Sequence, residues 1–588
     1  MADSLPSPVR ESQGPPAAAP PGPPPEPPAS RRVPIPKLLV ALRGYSWRTF
    51  VSDAGAGVTV GLVALPLAMA FAIASGLPPQ AGIYCAIVTG FLISALGGSM
   101  VQIGGPTGAF VVVVAGIVSE HGVDGLFMCT MMGGVMLVVL GATGMGSAIN
   151  FIPRPVVVGF TNGIAIIIAS TQIRDFLGLA VPSLPGDFAA RMGVLAANLH
   201  TVSWAATALS TACLALLIYC LVRRTRFPGT IIVLVGATLV VAVFGMPVDT
   251  IESRFHGIPA GFPELRIPAF RVDLVLSLLT PAFTVALLGG IESLMSAVVA
   301  DRMSGDRHNP NVELVAQGVA NIASPIFGGL PATGAIARTA TNVRSGAKTP
   351  VAGIIHALTL LVVILVAAPL AGAIPMPALA AILMIVAWNM GDWEEIPDIL
   401  RASRTDAAVW LVTILLTVFA DLTQAVEVGM ALAALLFIRR VTTTTDVAQV
   451  TDEFVARTRP DMLQDKEIPP YLAVFRVTGP LLFGSTDKLD VVRDRLDSLP
   501  PIVILRLRYM TAIDATGLRA IEDLAAAVRS SNRVFLVSGA REQPRALMTR
   551  ARFDRRIGLQ NVCTTYDDAL ERARQIYEER FSSAWPRV

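Results

Sequence analysis

From about Asp53 to Arg440 the chain alternates long apolar stretches with short polar breaks. Fourteen apolar segments lie near residues 53–74, 80–97, 101–119, 123–142, 155–176, 201–222, 228–245, 273–300, 311–327, 329–345, 350–373, 376–390, 406–420 and 423–440. A helix of roughly 20 apolar residues crosses the hydrocarbon core of a bilayer, so the pattern predicts a polytopic α-helical membrane protein. After Arg440 the pattern changes. Residues 441–468 are polar and charged and read as a linker. From about Pro470, "YLAVFRVTG", "PIVILRLRY" and "RVFLVSG" read as strands, while "TGLRAIEDLAAAVRSS" and "DDALERARQIYEER" read as helices. Strands alternating with helices predict a small α/β domain. The expected boundaries are a tail at 1–32, a membrane domain at 33–440, the linker, and the α/β domain at 469–588.

Composition agrees with the pattern. Hydrophobic residues make up 53% of the chain and charged residues 15%, against roughly 45–50% and 25% in ordinary soluble domains. Mean hydropathy is +0.62. The tail, with "PPAAAPPGPPPEPPAS", lacks the apolar core of a signal peptide and reads as disordered and polyproline-like. Lysine and arginine cluster before the first segment and in alternate loops afterwards, as at Arg154, Arg223–Arg224, Arg302, Arg344, Arg401 and Arg439–Arg440. The positive-inside rule then places both termini in the cytoplasm, with the spans in the inner (plasma) membrane. Four of the five cysteines lie in apolar runs and none forms C-x-x-C, which argues against disulfides or zinc. The sequence contains no H-E-x-x-H, no phosphate-binding P-loop and no credible Ser-His-Asp set. Neither an enzyme, a cofactor, a metal nor a nucleic-acid partner is expected.

The segment "GGPTGAFVVVVAGIV" at 104–118 is apolar but too short and too interrupted for a complete span. It has a twin, "GGLPATGAI" at 328–336, with Thr107 and Thr333 226 positions apart. A second pair, "TVGLVALPLAMA" at Thr59 and "TVALLGGIESLM" at Thr284, recurs at an offset of 225. Two matches at one offset imply related halves, about 53–245 and 273–440, of about seven spans each. An odd number of spans inverts the second copy, and short interrupted helices at matching positions point to a transporter's binding site. A helix that begins inside the bilayer leaves amide hydrogens without ladder partners, and its dipole favours an anion there. Thr107 and Thr333 are expected as N-caps. Gly108, Ala109, Gly334 and Ala335 are small enough to let an oxyanion approach the backbone.

Two charges complete the candidate site. Arg338 lies about one turn into the second short helix and would attract an anion. At an effective dielectric near 20, a unit pair at 4 Å is worth about 4 kcal/mol before desolvation. Glu292 sits in the middle of "LLGGIESLMSAVVA". A carboxylate at membrane depth is costly when charged, which suits it to carry a proton. The same offset places Leu67 opposite Glu292, so only one half carries an acid.

The stretches "AGVTVGLVALPLAMAFAIASGLPPQAGIY", "QIGGPTGAF", "IPRPVVVGFTNGIAIII" and "HNPNVELVAQGVANIASPIFGGLPATGAIARTATN" closely resemble the SulP sulfate permease family, and "RYMTAIDATGLRAIEDL" resembles its STAS domain. The resemblance implies fourteen spans in a seven-plus-seven inverted repeat, with a core domain moving against a gate domain, usually within a homodimer. It implies a substrate held between the half-helices of spans three and ten, here Thr107, Gly108, Ala109 and Phe110 against Thr333, Gly334, Ala335 and Ile336. It assigns anion binding to Arg338 and cation coupling to Glu292. Leu67, lining span one, stands where many sulfate-type members have glutamine and resembles the bicarbonate branch. Glutamate at 292 and arginine at 338 depart from the sodium-coupled bicarbonate members and favour a proton over sodium. The expected function is proton-coupled symport of a small oxyanion, sulfate first, with bicarbonate or dicarboxylate transport, or an uncoupled exchanger or channel, as alternatives.

Overall fold

The fourteen apolar segments each fall on a helix or half of one. The computed structural model describes residues 35–146, 153–182, 184–223, 229–259, 261, 265, 271–420, 422–450 and 468–581. The tail expected at 1–32 and most of the expected linker lie outside these residues. The membrane helices are α1 (Trp47–Ala74), α2 (Pro79–Leu96), α3 (Ala109–Ala142), α4 (Arg154–Leu177), α5 (Trp204–Arg223), α6 (Gly229–Phe244), α7 (Val275–Ser304), α8 (Pro310–Ile326), α9 (Ile336–Arg344), α10 (Val351–Gly372), α11 (Met376–Met390), α12 (Arg404–Phe419) and α13 (Leu422–Thr443). Among the described residues, eight helices are long and apolar enough to cross a membrane. α3 is broken at Gly122 (φ 70°, ψ −174°), which separates 109–121 from 123–142.

The chain divides into two units, residues 1–151 with 167–388 and residues 152–166 with 389–588. In the first unit the helices pack through small residues, as expected where lipid gives no hydrophobic drive for helices to associate. A Cβ on Gly134 of α3 would lie 2.7 Å from the Gly318 carbonyl of α8, and one on Gly318 would lie 2.5 Å from the Gly134 carbonyl. A Cβ on Gly141 would meet the Asn311 carbonyl at 2.6 Å. α1 packs on α10 in the same way, with Gly61 against Thr359. Outward-facing Val135, Val139, Leu221 and Val243 stay exposed, as lipid-facing side chains do.

Two short strands, β1 (Gly104–Gly105) and β2 (Thr333–Gly334), lie in the first unit, and the second unit ends in a five-stranded sheet of order β3 (Asp446–Gln449), β4 (Leu472–Leu481), β5 (Ile502–Ile513), β6 (Val534–Ser538) and β7 (Val562–Cys563). β3 is antiparallel to β4, and the remaining pairs are parallel. Parallel strands need both faces covered. Val503, Leu505, Phe535 and Val537 pack on one face with Leu518, Ile521 and Leu524 of α14 (Ala515–Ser530). Val474, Ile504 and Leu536 pack on the other with Ala569, Ala573 and Ile576 of α15 (Tyr566–Arg580). β3 lies inside the segment whose polar composition reads as linker. Its four residues are an edge strand, where one buried side chain, Val447, is enough to hold register.

Candidate functional site

The two Gly-Thr stretches meet as a minimal antiparallel sheet. β1 here is Gly104–Gly105 and its partner is Thr333–Gly334, with Gly104 opposite Gly334 and Gly105 opposite Thr333. Ala335 N donates to Ile103 O at 2.8 Å beside this ladder. Gly105 has φ 149°, a region that favours glycine. A Cβ there would also lie 2.5 Å from Arg338 Nη1. Only a bare backbone lets the guanidinium this close.

Each stretch then opens a helix, but not at its threonine. The N-cap of α3 is Gly108 and that of α9 is Ala335, and neither makes a side-chain cap. The threonine hydroxyls are engaged elsewhere, both on α7. Thr107 Oγ1 donates to Glu292 Oε2 at 2.9 Å. Thr333 Oγ1 donates to Gly289 O at 3.0 Å and lies 2.8 Å from Ser293 Oγ. This corrects the expected capping role: both hydroxyls donate to acceptors on α7 and not to the first turns of their own helices. The amides at the two tips precede the helical ladders. The first bonds are Phe110 N to Thr107 O at 3.3 Å, Val111 N to Gly108 O at 3.0 Å, and Thr339 N to Ala335 O at 2.8 Å.

Arg338 is 4% exposed. Its Nη2 donates to Pro106 O, across the ladder, while its Nη1 is buried without a hydrogen-bond partner. Gly108, Ala109, Phe110, Thr333, Gly334 and Ala335 are buried, Thr107 and Glu292 are half-buried, and Ile336 is exposed. Thus Thr107, the 108–110 backbone, Glu292, Thr333–Ala335 and Arg338 are gathered at one place. Leu67 is not among these bonds; it is half-buried against a cluster including Leu209 and Cys213 of α5, Val233 of α6 and Ala378 of α11.

Several further residues, not among the expected site residues, pin the tips. Asn321 of α8 holds Ala332 from both sides, accepting from its N–H at 2.8 Å and donating to its carbonyl at 2.9 Å. Ser324 Oγ donates to Leu330 O at 2.6 Å. Gln102 Nε2 donates to Ser293 O at 3.0 Å, Thr339 Oγ1 accepts from Ile103 N at 3.0 Å, and Asn342 Nδ2 donates to Val101 O at 2.9 Å. Glu313, 1% exposed, accepts from Gly98 N and from Gln317 Nε2, both at 2.9 Å. Glu313, Gln317 and Asn321 recur every four residues along α8. That buried polar stripe on an otherwise membrane-compatible helix is the signal that could have revealed them. Among the described residues, no group of three or more His, Cys, Asp or Glu could hold a metal ion.

The profile described as the sulfate permease family matches residues 50–413, and that of the STAS domain matches residues 460–569. The chain is 38% identical over 528 residues to the putative sulfate transporter YvdB of Bacillus subtilis, covering 90% of this chain and 98% of that protein. It is 30% identical over 542 residues to the bicarbonate transporter BicA of Picosynechococcus, covering 90% of this chain and 95% of that one. Its fold resembles the structure of murine Solute Carrier 26 family member A9, an anion transporter, at a TM-score of 0.81, covering 92% of this chain and 94% of that one at 18% identity.

Proposed function

We propose that this chain, which belongs to the sulfate permease family, is a secondary active importer of small oxyanions, sulfate first, working by alternating access with a proton as the coupling ion. It is a multi-pass membrane protein with a C-terminal STAS domain. The observation that carries the proposal is Arg338: a guanidinium buried at the meeting point of two helix tips, with Nη1 unpartnered. Burying a charge is expensive unless a counter-charge arrives, and an oxyanion seated at the tips supplies one. The 108–109 and 336–337 amides and the positive ends of α3 and α9 would share its charge, while Thr107, Phe110 and Thr333 through Ala335 shape the cradle.

Glu292 gives the coupling a physical form. As a carboxylate it accepts the Thr107 hydroxyl and repels an anion at the same tip. Once protonated it is neutral, so anion and proton favour each other's binding. Energetics makes a proton useful: importing a dianion against an inside-negative potential costs about 4.6 kcal/mol per 100 mV, twice the single-charge figure, and one proton returns half. In this reading the fourteen helical segments are fourteen spans in a seven-plus-seven inverted repeat, with half-helices in spans three and ten. Core and gate domains work within a homodimer in the plasma membrane, both termini cytoplasmic. Bicarbonate is the second reading, favoured by Leu67 and by the named bicarbonate-transporting relative.

The test is uptake into proteoliposomes with sulfate, bicarbonate, fumarate and chloride in competition. Sulfate is expected to compete best, acidic outside pH to stimulate uptake, and Glu292→Gln to abolish that stimulation. Arg338→Ala is expected to weaken anion binding at least tenfold in a folded protein. Unchanged affinity in Arg338→Ala would remove the site from the tips, and acid stimulation surviving Glu292→Gln would remove the coupling role.

A further inference from the structure

Ahead of α1 the chain forms a short strap whose outward side the transport site does not use. It consists of a five-residue helix, Lys37–Ala41, and a turn that closes at Gly44, φ 91°. The strap is pinned at both ends. Lys37 Nζ pairs with Asp306 at 2.7 Å, and Lys37 N donates to Gly97 O at 2.9 Å. Tyr45 Oη donates to Asp53 Oδ2 of α1 at 3.0 Å. The residues between these anchors are turned outward, with Leu39 55% and Leu42 50% exposed. Trp47, Phe50 and Val51, spaced i, i+3 and i+4 at the start of α1, form an exposed apolar stripe beyond the strap. Trp47 is 75% exposed and stacks on Phe50, with ring centroids 5.1 Å apart.

Charge is also one-sided here. From Ile35 to Val51 the sequence carries Lys37, Arg43 and Arg48 and no acid. Lys37 is neutralised by Asp306. Arg43 and Arg48 are exposed, and among the described residues neither guanidinium has an ion-pair partner. The length of α1 sets their depth. Its 28 residues span about 42 Å, the thickness of a whole bilayer with its headgroups, roughly 40–45 Å. Its first turn therefore lies among headgroups and not in hydrocarbon. Tryptophan favours that layer, and a guanidinium meets a phosphate through two parallel N–H groups. Two unpaired guanidinium groups beside exposed rings and aliphatic side chains fit a molecule with a phosphate at one end and hydrocarbon at the other. A soluble anion would leave the apolar half of this face unused, and a neutral lipid would leave both arginines without a counter-charge.

We propose that the corner between the strap and the first turn of α1 is a binding site for an anionic phospholipid. Arg43 and Arg48 take the phosphate-bearing headgroup, and Leu39, Leu42, Trp47 and Phe50 lie against the upper part of an acyl chain. The site requires only that α1 crosses the membrane. It is independent of which anion the tips carry and of what drives transport.

The experiment titrates the full-length protein in neutral detergent with phosphatidylglycerol and, separately, phosphatidylcholine, both brominated on the acyl chains, and reads contact as tryptophan quenching. The component lost in Trp47→Phe belongs to this site. Phosphatidylglycerol should quench that component saturably, with a midpoint at least fivefold below that of phosphatidylcholine. A basic side chain at an anionic lipid surface is worth about fivefold in affinity. Arg43→Gln combined with Arg48→Gln should therefore raise the phosphatidylglycerol midpoint at least tenfold, with the melting temperature unchanged. Arg43→Lys combined with Arg48→Lys keeps the charge and should stay within about threefold of wild type. Absence of a saturable Trp47 component overturns the proposal, as do equal midpoints for the two lipids or an unchanged midpoint in the double glutamine variant. Displacement by an equal concentration of glycerol 1-phosphate would assign the face to a soluble anion. A midpoint lowered by deleting residues 1–34 would assign it to the chain's own N-terminal segment, and a Trp47 signal that varies with protein concentration would assign it to a second copy. Each of these three results also overturns the proposal.

Discussion

Replacing Asn321 with alanine tests how the second tip is held. The side chain is 1% exposed and makes reciprocal bonds to both backbone groups of Ala332, the residue before Thr333. Truncation leaves one N–H and one C=O buried without partners. Each such group costs about 1–3 kcal/mol, so the tip should lose about 2–6 kcal/mol. At about 1.4 kcal/mol per decade, even the lower bound shifts the native arrangement of the tip more than tenfold. Hydrogen exchange in peptides spanning 329–336 reads this directly, and equilibrium anion binding should weaken alongside it. Ser324→Ala is the graded control. It removes one bond to Leu330 O, a carbonyl that also receives Cys85 Sγ at 3.1 Å, so its cost should stay under about 1.5 kcal/mol. Wild-type exchange in Asn321→Ala, or a larger effect from Ser324→Ala, would show that the clamp does not hold the tip.

Gly105→Ala should fold but bind anion at least tenfold more weakly, because the new methyl would lie 2.5 Å from Arg338 Nη1 and push the guanidinium aside; comparing binding isotherms with melting curves separates the two effects. Asp514 caps α14 by accepting from Gly517 N at 2.7 Å and also accepts from Phe483 N at 3.0 Å. Asp514→Ala should therefore destabilise the STAS domain by about 1–3 kcal/mol, seen as faster exchange over 515–530 with anion affinity unchanged.

Much of the helical layout is legible in the sequence because bilayer thickness imposes a length scale on apolar runs. The recurrence of Gly-Gly and Thr-Gly-Ala in both halves is equally visible. What is not legible is the destination of each polar side chain. Thr107 looks like a cap locally, since a threonine before a helix usually is one; its partner Glu292 is 185 residues away. The partners of Asn321 and Gln102 are backbone groups, which every residue possesses. β3 is missed because a four-residue edge strand with one buried side chain has too little alternation to stand out from a polar linker.

The two-rung ladder at Gly104–Gly105 also bears on how the protein is made. Its strands are separated by about 230 residues, which at ~5–20 residues per second is roughly 10–50 s of synthesis. Throughout that interval the first strand is already in the ribosome's product while the second does not yet exist. Its open edge must be sheltered by other helices of the early half or by the insertion machinery. Biogenesis therefore has a waiting period, and a chain stalled shortly before residue 333 should be unusually vulnerable to quality-control proteases.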